Sequence, residues 1–221
     1  MKTTKEKIML TALQLFALDG YEAVSVGRIA KALSLSKGAM YRHFRSKRDL
    51  FDRILQEMEK RDAAGAEAFC LPAGRLEEME SAYRESRIEA IASYGYAQFC
   101  YWTEDPFASA FRRMLTIEQF RNAELNAVYQ QYLGTGPLGY LTDLFGSLGV
   151  PDAKERAEEF YAPMVLYYSL YDGAGGKDDA VHEIKRRAEA HFARQKELLL
   201  REKHDRNGEK TDDSVCTKPE V

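Results

Sequence analysis

A short run near the N-terminus could recognise a polyanion. Between Lys37 and Arg45 the sequence places cations, a tyrosine and a glycine close together. Lysine and arginine can contact phosphate oxygens or guanine edges, and tyrosine can donate a hydrogen bond to a phosphate. A helix with such a face fits the major groove of DNA, which is wide enough to admit it. The run therefore predicts binding to double-stranded DNA.

This run is expected to form a short helix with two unlike faces. Ser36 is a good N-cap, because its hydroxyl can accept a free backbone N–H of the first turn. Residues placed every 100° around the helix put Ala39, Met40 and Phe44 on one side. The opposite side carries these residues: Lys37, Gly38, Tyr41, Arg42 and Arg45. The apolar side should pack on the domain, and the cationic side should face outward.

The neighbouring helices are predicted by the same kind of signal. Ser25 can cap a helix whose apolar residues recur at three- and four-residue spacing, and that helix ends near Leu33. Very few residues separate Leu33 from the next cap, so the turn between the two helices is tight. Ser46 and Asp49 form a capping box for a following helix. Its free N–H groups favour a phosphate, and Lys47 adds a cation beside them.

The charge of the chain is unevenly distributed. The net charge is −3 over 221 residues, which by itself argues against nucleic-acid binding. However, residues 1–50 contain ten basic and four acidic residues, whereas the remainder contains 22 basic and 31 acidic residues. A capped helical bundle with a solvated basic face remains an alternative. The coincidence of caps, tight turn, separated faces and local positive charge favours DNA binding.

The spacing of apolar residues predicts an all-α fold, with no convincing strand alternation. We expect a three-helix helix-turn-helix DNA-binding domain over residues 1–46 and a larger helical domain over 47–204. Residues 47–70 would be a linking helix, and residues 205–221 are too polar to order themselves. A single helix is expected over 75–103, and Pro163 should kink a helix near 152–171.

The sequence gives little support to other classes of protein. The chain starts without a secretory h-region, and no apolar run approaches the ~20 residues of a membrane span. Three cysteines form no CxxC pair, and four histidines have no metal-ligand spacing. Segment 173–177 lacks the first glycine and the Ser/Thr of a phosphate loop, and no GxSxG or HExxH motif occurs. We therefore expect a cytoplasmic protein that is not an enzyme and uses no metal or cofactor.

The first 55 residues or so resemble the TetR/AcrR family of bacterial transcriptional regulators. The resemblance is carried by the stretch from Leu15 to Val26, by Ile29-Ala30, and by the stretch from Leu35 to Lys47 with its Tyr-Arg-His-Phe-x-x-Lys run. It implies an N-terminal helix-turn-helix domain and a C-terminal helical domain that binds an effector and dimerises. The partners implied are a DNA operator, a small-molecule effector and a second copy of the chain.

The resemblance also implies which side chains contact DNA. By that resemblance Ser25, Tyr41, His43 and Lys47 would hold phosphates, whereas Lys37, Gly38 and Arg42 would face bases or the adjacent backbone. The sequence departs from the family at two positions. Ser34 stands where the turn usually carries glycine, and Gly27 stands where members often carry a base-reading arginine. Arg28 is the nearest replacement for that arginine.

Aromatic residues are frequent in the C-terminal region, where they could line a ligand pocket or form plain core. The candidate ligand-binding residues are Tyr94, Gln98, Tyr101, Trp102, Glu118 and Tyr168. By resemblance the last two long helices would form the dimer interface. The candidate interface residues are Ala157, Phe160, Tyr161, Met164, Val165, Tyr168, Ile184, Ala188, His191 and Leu198.

The function that these observations favour is a ligand-responsive, homodimeric transcriptional repressor on a pseudo-palindromic operator. A transcriptional activator, or a regulator of the same fold that responds to a protein, would have a similar sequence. A small-molecule-binding helical protein without specific DNA binding is a further alternative.

Overall fold

The computed structural model describes the backbone of residues 4–212 and the side chains of residues 4–204. Within that range the regular secondary structure is helical, which confirms the all-α fold. The helices are α1 (Thr4–Asp19), α2 (Val26–Ala32), α3 (Lys37–His43), α4 (Lys47–Ala68), α5 (Leu76–Glu85), α6 (Ile88–Glu104), α7 (Pro106–Glu118), α8 (Ala123–Leu133), α9 (Thr135–Ser147), α10 (Ala153–Gly173) and α11 (Asp178–Asp212).

Helices α1, α2 and α3 enclose a small apolar core at the N-terminal end. Phe16, Ile29 and Met40 are fully buried there. Tyr21 lies edge-on to Phe16, with 5.1 Å between the ring centroids. Because α1 also packs along α7, the three N-terminal helices are seated directly on the rest of the chain.

The remaining helices form a larger bundle that surrounds a core of aromatic side chains. Helix α10 packs against α9 and α11, and α6 packs against α7 and α11. Phe99, Phe111, Phe145 and Phe160 are buried between these helices. The aromatic residues noted in the sequence thus supply much of this core.

The single helix expected over 75–103 is wrong, because the chain breaks between α5 and α6. Ser86 and Arg87 adopt extended backbone conformations. Tyr83 and Ile88 are both buried, although residues five apart lie about 140° apart around one continuous helix. Ser86 also donates from its hydroxyl to the Ala82 carbonyl at 2.8 Å, a local bond that competes with helix continuation. The break lets both side chains reach the core.

Helix α10 continues through Pro163 as one element from Ala153 to Gly173. Eight of the ten residues expected at the dimer interface are buried inside this single chain, so the expectation that they contact a second copy is wrong. Val165 and Leu198 are exposed, as are Leu166 and Leu170 on α10. The sequence pattern identified an apolar face but could not separate its inward half from its outward half.

Residues 205–212 of the tail that was expected to be disordered are described as part of α11, so the prediction is wrong for these residues. Helix α11 is described as far as Asp212, and residues 213–221 lie outside the described range.

Candidate nucleic-acid interface and ligand cavity

The turn between α2 and α3 is a Schellman motif with serine at its left-handed position. The Ser34 N–H donates to the Lys31 carbonyl at 3.1 Å, and the Leu35 N–H donates to the Ala30 carbonyl at 2.9 Å. Ser34 has φ of +55°. Glycine is preferred at this position because a Cβ disfavours that backbone conformation. Ser34 thus adopts the strained left-handed conformation that glycine would adopt freely, and the turn keeps its usual hydrogen bonds.

The serine caps predicted from the sequence are all confirmed. The Ser25 hydroxyl accepts from the Arg28 N–H at 3.2 Å, and the Ser36 hydroxyl accepts from the Ala39 N–H at 3.1 Å. Ser46 accepts from the Asp49 N–H at 3.0 Å, and Asp49 in turn accepts from the Arg45 N–H at 2.8 Å. These bonds fix where α2, α3 and α4 begin.

Helix α3 has the two unlike faces that the sequence predicts. Met40 and the following Phe44 are buried against the domain. The exposed side presents Lys37, Gly38, Tyr41 and Arg42. Tyr41 is 53% exposed, which is unusual for a large aromatic residue. His43 is half-buried at the end of the helix.

Two candidate cations are engaged with other groups beside α3. Arg28 forms an ion pair with Asp19, with 2.6 Å between Nη2 and Oδ2. Lys47 donates from Nζ to the Tyr21 carbonyl at 3.0 Å, and the same atom lies 4.2 Å from the centroid of the Tyr21 ring. It is also 3.4 Å from a carboxylate oxygen of Glu22. Both side chains thus lie next to the exposed face, but each is held within the domain.

Gly27 leaves space that Lys37 occupies. A Cβ built at Gly27 would lie 2.9 Å from Cε of Lys37, which is too close for carbon atoms. The aliphatic stem of Lys37 therefore crosses α2 at Gly27, the position where members of the TetR/AcrR family often carry arginine. A longer residue at position 27 would displace it.

Glu118 lies at the contact between α7 and the N-terminal helices. It is 3% exposed, and its Oε1 accepts from the Tyr21 N–H at 2.8 Å. Gly20 approaches so closely that a Cβ there would lie 2.6 Å from the same oxygen. A separate ion pair, between Arg48 and Glu124 at 2.6 Å, joins the start of α4 to the start of α8.

A cavity of about 280 Å³ lies among α4, α6, α8, α9 and α10. Four of the six candidate ligand-binding residues line it: Tyr94, Gln98, Trp102 and Tyr168. Glu118 does not line it, and neither does Tyr101, whose ring packs on Trp102 with 5.8 Å between centroids. Burial raises the pKa of Tyr101 to about 12.

Sequence reasoning missed several residues of this cavity. The missed lining residues include Asp62, Tyr132, Tyr140 and Tyr161. Burial raises the pKa of the Asp62 carboxyl, and a hydrogen bond with Gln98 partly opposes that rise. A signal for Asp62 was present, since it continues the four-residue spacing of the buried Ile54, Met58 and Ala66.

The described part of the chain contains neither a membrane-spanning helix nor a metal-binding cluster. None of its helices is long and apolar enough to cross a membrane. Among the side chains of residues 4–204, no group of three or more His, Cys, Asp or Glu could hold a metal ion.

Residues 8–54 match the model of the tetR family of bacterial regulatory proteins. This N-terminal segment is thus similar to the DNA-binding part of tetR-family regulators. Among curated relatives, the HTH-type transcriptional regulator AcrR of Shigella flexneri is 43% identical over 56 residues. QacR of Staphylococcus aureus is 42% identical over 57 residues. These segments cover 25% and 26% of this chain, and 26% and 30% of the two relatives.

Solved structures of regulators share the fold over most of the chain. The complex of SmeT with triclosan has a TM-score of 0.59 at 17% identity, covering 88% of this chain and 90% of that one. The fatty acid degradation regulator FadR of Bacillus halodurans has a TM-score of 0.57 at 19% identity, covering 87% and 96%. At these identities the likeness shows that the chain shares the fold of these two regulators, and no more.

Proposed function

We propose that this chain is a DNA-binding transcriptional regulator that reads its operator with α3. The observation that carries the proposal is the exposed cationic face of α3, which lies within the segment matched by the family model. In this proposal residues 1–46 are the DNA-binding domain and 47–204 the ligand-binding and dimerisation domain. The protein acts in the cytoplasm and is not an enzyme.

The residues proposed to contact DNA fall into two groups, according to whether their side chains already bind other residues of the protein. Lys37, Gly38, Tyr41 and Arg42 are exposed, so they can approach base edges or phosphates without giving up a side-chain bond to another described residue. The Ser25 hydroxyl can donate to a phosphate while its oxygen continues to accept from the Arg28 N–H. In the second group, Arg28 and Lys47 would exchange carboxylate partners for phosphates, and His43 would contact the backbone from the end of α3.

A homodimer is part of the proposal, because the outer face of α10 and α11 leaves apolar side chains exposed. Val165, Leu166, Leu170 and Leu198 are the exposed apolar residues there. A two-fold axis through this face would bury the same residues on both copies. Two α3 helices separated by about 34–36 Å would then reach successive major grooves of a pseudo-palindromic operator.

We further propose that a small molecule in the cavity weakens operator binding, so that the protein is a ligand-responsive repressor. SmeT, whose fold this chain shares, is described as the repressor of a multidrug efflux pump of Stenotrophomonas maltophilia and has been crystallised with triclosan. In this chain α4 joins the two ends of the molecule, since Ser46 caps it beside α3 and Asp62 lines the cavity. Movement of α4 would change the spacing of the recognition helices, for which about 1–3 kcal/mol of coupling suffices.

The test is nuclease footprinting on the DNA that flanks the chain's own gene. We expect a protected, pseudo-palindromic site, and a dimer in sedimentation experiments. A reporter transcribed from the same DNA should be repressed when the protein is present. Activation of the reporter would support an activator of the same fold, and the absence of any protected site would contradict DNA recognition.

A further inference from the structure

The cavity among α4, α6, α8, α9 and α10 contains one charged residue among the described residues that line it, Asp62. Its carboxyl is half-buried, and its hydrogen bond with Gln98 supplies no opposite charge. A carboxylate removed from water without a cation is costly. The cavity therefore has a negative group that is incompletely compensated by the described part of the protein.

Two arginines adjoin residues of the cavity wall, Arg61 next to Asp62 in sequence and Arg112 over the Tyr168 ring, and both are already compensated by other groups. Arg61, next in sequence, donates to Glu57 at 2.8 Å and stacks over Phe107 with 4.5 Å to the ring centroid. Arg112 donates to both carboxylate oxygens of Asp172, at 2.9 and 2.8 Å. Neither guanidinium lines the cavity. A ligand is thus the available source of positive charge for Asp62.

The walls of the cavity suit the same kind of ligand. Trp102, Tyr94, Tyr132 and Tyr168 line it, and aromatic faces attract cations through the negative potential over the ring. Tyr132 and Tyr168 are both more than nine-tenths buried. Their hydroxyls are buried as well and have no hydrogen-bond partner among the described residues. Buried polar atoms normally have a partner, so these two hydroxyls remain available to a ligand.

We propose that this cavity binds an organic monocation whose charge pairs with Asp62 and whose apolar part lies against Trp102 and the surrounding tyrosines. A single carboxylate compensates a single positive charge, which excludes a second buried charge on the ligand. An anion would find no cation among the described lining residues. The volume of about 280 Å³ lies near the lower end of ligand pockets, at about 300–1,000 Å³, which favours one ring with a small ammonium group.

The regulatory consequence of this site rests on the proposed function. Asp62 lies on α4, sixteen residues after its cap Ser46, so the two are separated by roughly 24 Å of helix. Near its start α4 buries Leu50 and Phe51 against the N-terminal core. A cation held by Asp62 therefore acts directly on the helix that supports α3.

The first test measures binding to the full-length protein without DNA. Trp102 is the single tryptophan of the chain, so its fluorescence reports occupancy of the cavity. The probes are benzyltrimethylammonium, its neutral isostere neopentylbenzene, and the anion phenylmethanesulfonate. We expect the ammonium to bind with a Kd at least tenfold lower than the neutral probe, and the anion to give no saturable change. Equal Kd values for the ammonium and the neutral probe, or tighter binding of the anion, would overturn the inference.

The second test removes the charge and keeps the shape. Asp62→Asn should raise the Kd of the ammonium at least tenfold, equivalent to about 1.4 kcal/mol, and leave that of neopentylbenzene unchanged. Glu67→Gln is the matched control, since Glu67 is exposed on the same helix, and it should change neither Kd. Unchanged ammonium binding by Asp62→Asn would overturn the inference. If the variant does not fold, the comparison of probes on the native chain decides the matter.

A third measurement separates this inference from the proposed function. Labelled operator DNA is titrated with the protein, with and without benzyltrimethylammonium, and followed by fluorescence anisotropy. Asp62-dependent ammonium binding without release of DNA supports the cation site and contradicts ligand-responsive repression. Specific DNA binding by a protein that gives no Trp102 response to the ammonium overturns the cation site and leaves the DNA-binding proposal standing.

Discussion

Replacing Glu118 with alanine should loosen the attachment of the N-terminal helices to α7. Glu118 is buried, and its carboxylate accepts the Tyr21 N–H at 2.8 Å across this junction. A hydrogen bond to a charged group contributes about 1.5–3 kcal/mol, and its loss leaves the Tyr21 N–H without that acceptor. We therefore expect the free energy of unfolding to fall by about 2–3 kcal/mol. For a chain of this length the melting temperature would fall by about 4–12 °C.

Calorimetry at one fixed protein concentration is the appropriate assay, because the melting temperature of the proposed dimer would depend on concentration. Glu118→Gln is the matched control, since it keeps an oxygen acceptor of the same length, and it should cost less than half as much as the alanine variant. An alanine variant that melts with the native protein would refute the structural role given to Glu118. Equal losses for glutamine and alanine would show that the carboxylate charge, and not the acceptor, holds the junction.

A double-mutant cycle with Gly20 tests the same contact from its other side. Gly20 has φ of +86°, and a Cβ there would lie 2.6 Å from Oε1 of Glu118. Gly20→Ala should therefore destabilise through backbone strain and through this close approach. In the Glu118→Ala background only the strain remains, so the two losses should sum to more than the loss of the double variant. Strict additivity would place the two residues out of contact.

Other parts of the molecule yield further predictions. Ser34→Gly should raise the free energy of unfolding by about 1 kcal/mol in urea titrations, because glycine adopts a φ of +55° without strain; a lower stability would contradict this. Arg42→Ala should weaken binding to the operator by about 1–3 kcal/mol and relax the preference at one base pair, if its guanidinium reads a guanine edge; an equal loss on random DNA would count against that role. Because burial raises the pKa of Asp62, its ionisation destabilises the folded state, so stability falls as pH rises from the unfolded pKa through the folded pKa. Asp62→Asn should remove that fall in stability when melting temperatures are measured from roughly pH 4 to pH 8, a range in which the tyrosines of the cavity stay protonated. If the melting temperatures of the two proteins changed with pH in the same way, the prediction would be contradicted.

The helix-turn-helix region could be predicted in detail because its determinants are local. Ser25, Ser36 and Ser46 cap helices through bonds to residues three positions away. Such bonds depend on sequence neighbours alone, so the residue types identify them. The two faces of α3 follow from helical geometry for the same reason.

The bundle was less predictable because its contacts are distant in sequence. Glu118 contacts Tyr21 across 97 residues, and no periodicity indicates such a pairing. The break between α5 and α6 lets Tyr83 and Ile88 both be buried in the core. The need to bury both depends on the other helices that surround them, so the local sequence does not indicate it. Aromatic spacing could not separate the residues that line the cavity from those that fill the core.

Asp62 is an intermediate case. The sequence shows Asp62 at a position that continues the apolar series of α4, but it also places Asp62 directly after Lys60 and Arg61, in a pattern typical of surface charge. A charged residue that continues a buried stripe is the signal that would have identified it. Such a residue is found by placing each residue of the helix on its inward or outward side, and not by counting the charges of the segment.

The central claim is sequence-specific recognition of DNA by α3. The most direct measurement is fluorescence anisotropy of labelled DNA from the chain's own flanking region, compared with a shuffled sequence of equal length over a series of salt concentrations. Specific regulators bind their sites about 10³–10⁷-fold tighter than other DNA, so we expect at least the lower end of that range at physiological salt. Equal affinity for the two DNAs at every salt concentration would contradict the claim.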